Sequence, residues 1–158
     1  MRLRLAAILG VLWLAAACSS PPPTFSLTRA SVDPTYWCAA GANNAPYDLH
    51  AGIQARNDTA QEVSIGSAGA VMVLTAIRGS WLERVGDRYE AAGLKVSPAT
   101  IAPRSAATLK LTIPSACTSG RYGPRLTSSG TYDVRLQLVT SAGTFAITAT
   151  NKHEIVAG

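Results

Sequence analysis

Few side chains in this sequence could do chemistry: three cysteines, two histidines and nine scattered carboxylates. Thiolates and imidazoles are nucleophiles, and they are zinc or copper ligands when they cluster. The cysteines (Cys18, Cys38 and Cys117) and the histidines (His50 and His153) have no ligand spacing. There is no Gly-x-Ser-x-Gly nucleophile motif, and no spacing of carboxylates favours a glycosidase pair. The sequence therefore predicts no enzyme, metal site or cofactor, and it places both histidines on the solvated surface.

The N-terminus has the composition of an export signal. Arg2 and Arg4 are followed by a continuous apolar stretch, residues 5–17, and then by Cys18. A charged start, a short apolar run and small residues at its end are typical of a secretory signal peptide. The apolar stretch is too short for a transmembrane helix, which needs about 20 residues. The sequence therefore predicts export and removal of residues 1–17.

The stretch Leu14-Ala15-Ala16-Ala17-Cys18 resembles the lipobox of bacterial lipoproteins. In that family, small residues precede a cysteine that is diacylated and becomes the N-terminus after cleavage. The family usually has Leu three residues before the cysteine, where this chain has Ala15. Ala15 and Ala17 also suit an ordinary signal peptidase, which would leave a soluble protein. The resemblance implies lipidation at Cys18 and attachment to the cell membrane or the outer membrane.

The cysteine count is consistent with lipidation. An odd number of cysteines in an exported protein leaves one thiol to explain. Acylation of Cys18 leaves Cys38 and Cys117 as an even pair in an oxidising compartment. The sequence therefore predicts a disulfide that closes a loop of about 80 residues. The alternative is a pair of buried free thiols.

Length and charge suit one exported domain on a short tether. Residues 19–24 are polar and contain three consecutive prolines, so residues 18–24 are predicted to be an extended tether and residues 25–158 the folded domain. Without residues 1–17, twelve basic residues face nine acidic ones, and no run of Lys or Arg is present. Nucleic acid is therefore not a predicted partner.

Apolar residues recur at every second position through much of the domain, between Gly, Pro, Asn and Ser. This period, with turn signals about every ten residues, is typical of packed antiparallel sheets, and it predicts an all-β fold of about seven or eight strands. Ser141-Ala142-Gly143 is short enough to connect a hairpin. Ser80-Trp81-Leu82-Glu83 fits a helical capping box, whereas Gly79-Ser80 fits a hairpin turn, so both alternatives stay open. The predicted runs are 25–32, 49–56, 61–65, 70–77 (covered on both faces), 108–113, 131–138 and 144–149.

The second half of the chain resembles bacterial immunoglobulin-like envelope domains. Gly130-Thr131-Tyr132 places a tyrosine at the start of an inward-alternating strand, as the tyrosine corner of such sandwiches does. Pro103, before a predicted strand, adds to the likeness. The resemblance implies an immunoglobulin-like antiparallel β-sandwich. Since Cys38 and Cys117 fall outside the predicted strands, the disulfide is expected to connect loops rather than the two sheets.

The sequence contains one candidate binding surface. A disulfide would bring residues 36–47 and 115–129 side by side, and aromatic and Arg side chains on such rigid loops are frequent interface hot spots. In the alternative interpretation, Trp37 and Tyr47 close an open end of the sandwich and the arginines are only solvated. The partner-binding candidates are Trp37, Arg121, Tyr122 and Arg125.

These observations predict an envelope lipoprotein with a non-catalytic binding or structural role. Its expected partners are the membrane, through the lipid on Cys18, and an envelope protein or polysaccharide. The alternative is a protease inhibitor or an accessory subunit of an envelope enzyme. Asp33-Pro34-Thr35-Tyr36-Trp37 resembles the Asn-Pro-Thr-Thr-Gly loop of chagasin-like cysteine-protease inhibitors, although it lies earlier in the chain than in that family.

Overall fold

A computed structural model of the chain describes residues 24–119 and 128–157. These residues form eleven β-strands, and no helix among them could cross a membrane. Residues 1–17, Cys18 and the candidates Arg121, Tyr122 and Arg125 lie outside the described residues. The strands are β1 (Phe25–Val32), β2 (Thr35–Cys38), β3 (Ala45–Asn57), β4 (Val63–Arg78), β5 (Arg88–Ala92), β6 (Val96–Ser97), β7 (Thr100–Ile101), β8 (Ser105–Cys117), β9 (Ser128–Thr140), β10 (Gly143–Thr148) and β11 (His153–Ala157).

The strands form two sheets. The first has four strands in the order β1-β3-β8-β6. The second has seven, in the order β2-β11-β9-β4-β5, with β10 beside β9 and β7 beside β4. Every described pair is antiparallel except β2 with β11, which run parallel. The predicted all-β sandwich is confirmed.

The core lies between the two sheets, because alternate residues of each long strand point inward. Leu49, Ile53, Leu109 and Ile113 come from the four-stranded sheet and are fully buried. They belong to one cluster with inward residues of β4 and β9 from the other sheet: Ala70, Met72, Leu74, Val134, Leu136 and Leu138. Residues 141–142 connect β9 to β10, as the predicted hairpin requires.

Strand β4 differs from its prediction. Residues 61–65 and 70–77 were expected to form two strands, but one strand of 16 residues runs through both regions, with shifts in register at two places. It is not covered on both faces: Met72 and Leu74 are buried in the core, whereas Val71 and Val73 are half-buried on the outer face. An almost wholly apolar segment does not show which face is outward, so the sequence alone suggested burial on both.

The structure has more strands than the seven or eight expected. Strands β2, β5, β6, β7 and β11 have two to five residues each, and runs this short show too little alternation to be recognised. Residues 79–87 form neither the helical turn nor the two-residue hairpin turn considered for Ser80–Glu83. They are a longer irregular connection between the antiparallel strands β4 and β5.

Candidate binding site at the disulfide end of the sandwich

Cys38 and Cys117 form a disulfide, as predicted, and their Cα atoms lie 6.0 Å apart. Cys38 ends β2 in the seven-stranded sheet, whereas Cys117 ends β8 in the four-stranded sheet. The bond therefore connects the two sheets, and the expectation that it would connect loops is wrong. The error arose because β2 owes its extended conformation to pairing with β11, which is distant in sequence. We call this part of the molecule the disulfide end.

Backbone and hydroxyl hydrogen bonds hold the chain on both sides of the disulfide. The Ser119 N–H donates to the Ala42 carbonyl at 2.9 Å, and the Ala42 N–H donates to Ser119 Oγ at 3.1 Å. The Ser119 hydroxyl also donates to the Ala39 carbonyl, and the Asn44 N–H donates to Thr118 Oγ1 at 2.9 Å. The described parts of the two predicted segments therefore lie side by side.

A buried polar network lies next to the disulfide. The His153 Nδ1 atom is 2.7 Å from the Asp33 carbonyl oxygen, and Nε2 is 2.9 Å from the Tyr47 hydroxyl. A carbonyl can only accept, so Nδ1 bears the proton and neutral Nε2 accepts from Tyr47. The Tyr36 and Tyr47 rings stack with centroids 3.8 Å apart. Burial raises the pKa of Tyr47 to about 12 and lowers the pKa of His153 below its ordinary 6.5.

The position of His153 contradicts its predicted place on the solvated surface, since its side chain is fully buried. The reason is the pairing of β11 between β2 and β9, which turns His153, Ile155 and Ala157 inward. The five residues of β11 show no clear period of two, so the sequence offered no signal for this burial. His50, by contrast, is exposed as expected, and its Nδ1 atom lies 3.0 Å from Asp33 Oδ2.

Trp37 does not close the end of the sandwich. Alternation along β2 turns Tyr36 and Cys38 inward, so Trp37 points outward and is 70% exposed. Tyr47 alone of this pair is buried, as the end-closing interpretation expected. Thr35–Trp37 also differ from the inhibitor-like loop, because they form a strand. Of the four binding candidates, Trp37 is the one within the described residues.

Trp81, in the connection 79–87, closes the end of the sandwich, which is the role that the alternative interpretation gave to Trp37. Its indole covers Gly130, and its Nε1–H lies 3.1 Å from Glu83 Oε2 and 3.2 Å from the Tyr132 hydroxyl. The Tyr132 hydroxyl donates to the Glu83 carboxylate, and burial with this bond raises the Tyr132 pKa. A tyrosine corner bonds to backbone, so this tyrosine departs from that motif. A glycine inside a strand is the sequence signal for such a close contact.

Replacing Gly130 by alanine is expected to displace the Trp81 ring. A Cβ atom there would lie 2.6 Å from ring atoms of Trp81, closer than van der Waals contact permits. We expect a loss of about 1–3 kcal/mol in the free energy of unfolding, and a red shift of Trp81 fluorescence when the other two tryptophans are phenylalanine. Gly52→Ala is the matched control, because its nearest neighbour would be 3.7 Å away. Equal stability of the two variants would contradict the packing role of Gly130.

Among residues 24–119 and 128–157, no three His, Cys, Asp or Glu side chains group as metal ligands do. Within the same residues, His50 bonds to Asp33, and His153 bonds to Asp33 and Tyr47. Neither histidine is therefore paired with a Ser or Thr hydroxyl. What the disulfide end presents to solvent is a large exposed indole on a rigid strand.

Comparison with known proteins assigns no family. No family model matches the chain, and no curated protein matches it significantly. Among solved structures it is similar to a Bordetella pertussis protein described as ApaA (18% identity, 87% of this chain and 97% of that one, TM-score 0.40). It is also similar to AggA, the major subunit of aggregative adherence fimbriae type I from Escherichia coli (9% identity, 85% and 95%, TM-score 0.33). A third similarity is to a PapD-like domain of human CEP192 (12% identity, 96% and 98%, TM-score 0.29). These similarities are too low to support a function, which must be argued from the residues of this chain.

Proposed function

We propose that this protein is an exported lipoprotein of the bacterial envelope that binds another protein, without catalysis, through the surface around Trp37. The observation on which this depends is the exposed indole of Trp37 on a strand that the disulfide holds to the opposite sheet. A lone exposed apolar side chain needs no explanation, but a tryptophan on a rigid element has the properties of an interface hot spot.

The disulfide supports a location outside the cytoplasm. Structural disulfides form and persist outside the reducing cytoplasm, and the buried Cys38–Cys117 bond fits that environment. The charged, apolar and small-residue order of residues 1–18 supports export and acylation of Cys18. Two acyl chains on one cysteine make membrane attachment stable, because each buried methylene contributes about 0.8 kcal/mol.

The disulfide end supports binding because it holds the backbone at Trp37 in place. Cys38 is fixed by its bond to Cys117, and Tyr36 is fixed by stacking on buried Tyr47. Trp37 lies between these two residues, so its backbone loses little further freedom when a partner binds. Low ordering cost is the usual reason that a rigid aromatic side chain contributes strongly to affinity.

Replacing Trp37 by alanine is expected to weaken capture of an envelope protein at least about tenfold, as loss of a hot spot does. The measurement is crosslinking and affinity capture from envelope extract, with the captured protein quantified by mass spectrometry. Val85→Ala is the control, because Val85 is an aliphatic side chain of the 79–87 connection that is 60% exposed. Both variants should unfold within about 0.5 kcal/mol of the parent. Equal capture by the two variants would exclude Trp37 as the binding residue.

The anchor is tested by the intact mass of the protein extracted from membranes. We expect cleavage before Cys18 and the added mass of acyl chains, because the thiol of Cys18 is the acylation site. A Cys18→Ala variant should be neither acylated nor retained by membranes. Mass after alkylation, with and without reductant, should show two thiols only after reduction. An unacylated native protein would refute the anchor and leave the Trp37 surface untouched.

A further inference from the structure

A concave surface lies on the outer face of the four-stranded sheet, on the opposite side of the sandwich from Trp37. Its volume is about 770 Å³, within the range of about 300–1,000 Å³ that is usual for small-molecule sites. The polar side chains that line it are His50, Lys95, Ser97, Lys110 and Thr112. No Asp or Glu of the described residues lines it. The cavity is therefore cationic.

Strand pairing places these side chains in two adjacent rows on one face. His50 of β3 lies opposite Thr112 of β8. In the next row, Lys110 of β8 lies opposite Ser97 of β6. Lys95 directly precedes β6, and the same register continued by two residues places it beside Thr112. Lys95 and Lys110 are then diagonal neighbours, whose Cα atoms are about 7–8 Å apart in such a sheet. Both ammonium groups can therefore reach one ligand group between them.

Neither lysine has a counter-ion within residues 24–119 and 128–157. The ion pairs in those residues involve His50, Arg56 and Lys152 instead. Two like charges so close together repel each other. An anion between them removes this repulsion and accepts a charge-assisted hydrogen bond from each ammonium group. The cavity therefore favours a ligand with an acidic group.

His50 adds a hydrogen-bond acceptor to the cavity. Its Nδ1 atom and its backbone nitrogen each lie 3.0 Å from Asp33 Oδ2. A carboxylate only accepts, so Nδ1 bears the proton and Nε2 of the neutral ring is an acceptor. In the described part of the chain, Nε2 and the hydroxyls of Ser97 and Thr112 have no hydrogen-bond partner. A ligand that satisfies them must offer hydroxyl groups as well as an acidic group.

We propose that this cavity binds an acidic saccharide: Lys95 and Lys110 hold its carboxylate or phosphate group, and His50 accepts a hydrogen bond from a ring hydroxyl. A sugar acid carries both kinds of group on one ring, whereas the ionised side chains of Asp and Glu carry acceptors alone. Ser97 and Thr112 can donate to further sugar oxygens or accept from further hydroxyls. The cavity lies on the opposite sheet from the proposed protein-binding surface, so it is a separate site that does not depend on that proposal.

The test is calorimetric titration of the protein, purified in detergent from the producing cell, with two acidic oligosaccharides: one of galacturonic acid and one of phosphorylated mannose. We expect binding, and the tighter of the two identifies the acidic group. The neutral counterparts, a methyl ester and a dephosphorylated chain, should bind at least about tenfold more weakly. Lys95→Gln and Lys110→Gln should each weaken binding of the acidic sugar at least about tenfold. His50→Leu should weaken it as well, because a ring hydroxyl loses its acceptor. Lys152→Gln is the matched control, because it removes the same charge where Lys152 pairs with Asp133 of the other sheet.

Several results would overturn the proposal. Failure of both acidic sugars to bind would do so, and so would equal affinity for their neutral counterparts. A glutamate peptide or inorganic phosphate that binds as tightly as the acidic sugar would overturn the assignment to a saccharide. An equal loss of affinity in Lys152→Gln would mean attraction by overall charge and would overturn the cavity as the site. An unchanged affinity in His50→Leu would overturn its role as the acceptor. Unchanged melting temperatures show that the variants are folded, and capture through Trp37, which should be unchanged in them, is judged separately.

Discussion

Replacing Cys38 and Cys117 together by alanine is expected to lower the free energy of unfolding by about 4–5 kcal/mol. The two residues are 79 positions apart in the chain, so the bond removes many conformations from the unfolded state. It also joins the two sheets at the disulfide end. For a domain of this size the melting temperature should fall by about 10–20 °C. Urea denaturation of the parent and the variant measures the difference.

Two controls isolate the effect of the bond. The parent protein unfolded in the presence of reductant should match the double variant, since both lack the crosslink. Cys18→Ala should leave the free energy of unfolding unchanged, because Cys18 has no part in the bond. A loss below about 1 kcal/mol in the double variant would mean that strand pairing alone holds β2 in place.

Replacing His153 by leucine is expected to cost about 1–3 kcal/mol, because one buried group and one partly buried group each lose their hydrogen bond to this ring. These groups are the Tyr47 hydroxyl and the Asp33 carbonyl. Tyr47→Phe should cost less in the His153→Leu background than in the parent, because there the hydroxyl has already lost its bond to His153 and has only Ser115 as a partner. His50→Leu is the control, because His50 is exposed. An equal cost of Tyr47→Phe in the two backgrounds would contradict the hydrogen bond between Tyr47 and His153.

The pH dependence of stability provides a second measurement on His153. Burial lowers the pKa of His153 in the folded state, whereas the unfolded state keeps the ordinary value of 6.5. The unfolded state therefore binds the proton first as pH falls, and stability should decrease below about pH 6.5, by at most about 1.4 kcal/mol per pH unit for one group. Above the ordinary pKa the contribution is fully present. This slope should be absent from His153→Leu and present in His50→Leu.

The predictions about the disulfide and His153 concern one structural unit. Tyr47 and Tyr36 stack next to the disulfide, and the His153 ring lies 5.9 Å from the Tyr47 ring. The network buries its polar groups and keeps them paired, which favours a single arrangement of β2. Trp37 is presented on the outer side of that strand. Disturbing either the disulfide or His153 should therefore also weaken binding through Trp37.

The sequence was sufficient for the fold class and for most of the long strands. A period of two in β3, β8 and β9 arises because one face of each strand is buried, and this pattern is local. The disulfide pairing was also predicted from the residues, since assigning Cys18 to the lipobox leaves two cysteines. The alternation can be read within one short segment, and the disulfide follows from the number of cysteines.

Only the tertiary structure decided what lies at the disulfide end. Strand β2 forms because β11, more than 100 residues later, pairs with it, and this pairing turns Trp37 to solvent and His153 to the core. Likewise, Trp81 closes the end of the sandwich because Gly130 of β9 leaves room for its ring. Contacts between residues so distant in sequence depend on the packing of the whole sandwich. A local period therefore predicts the long strands, but it does not predict how distant strands pair or which tryptophan is exposed.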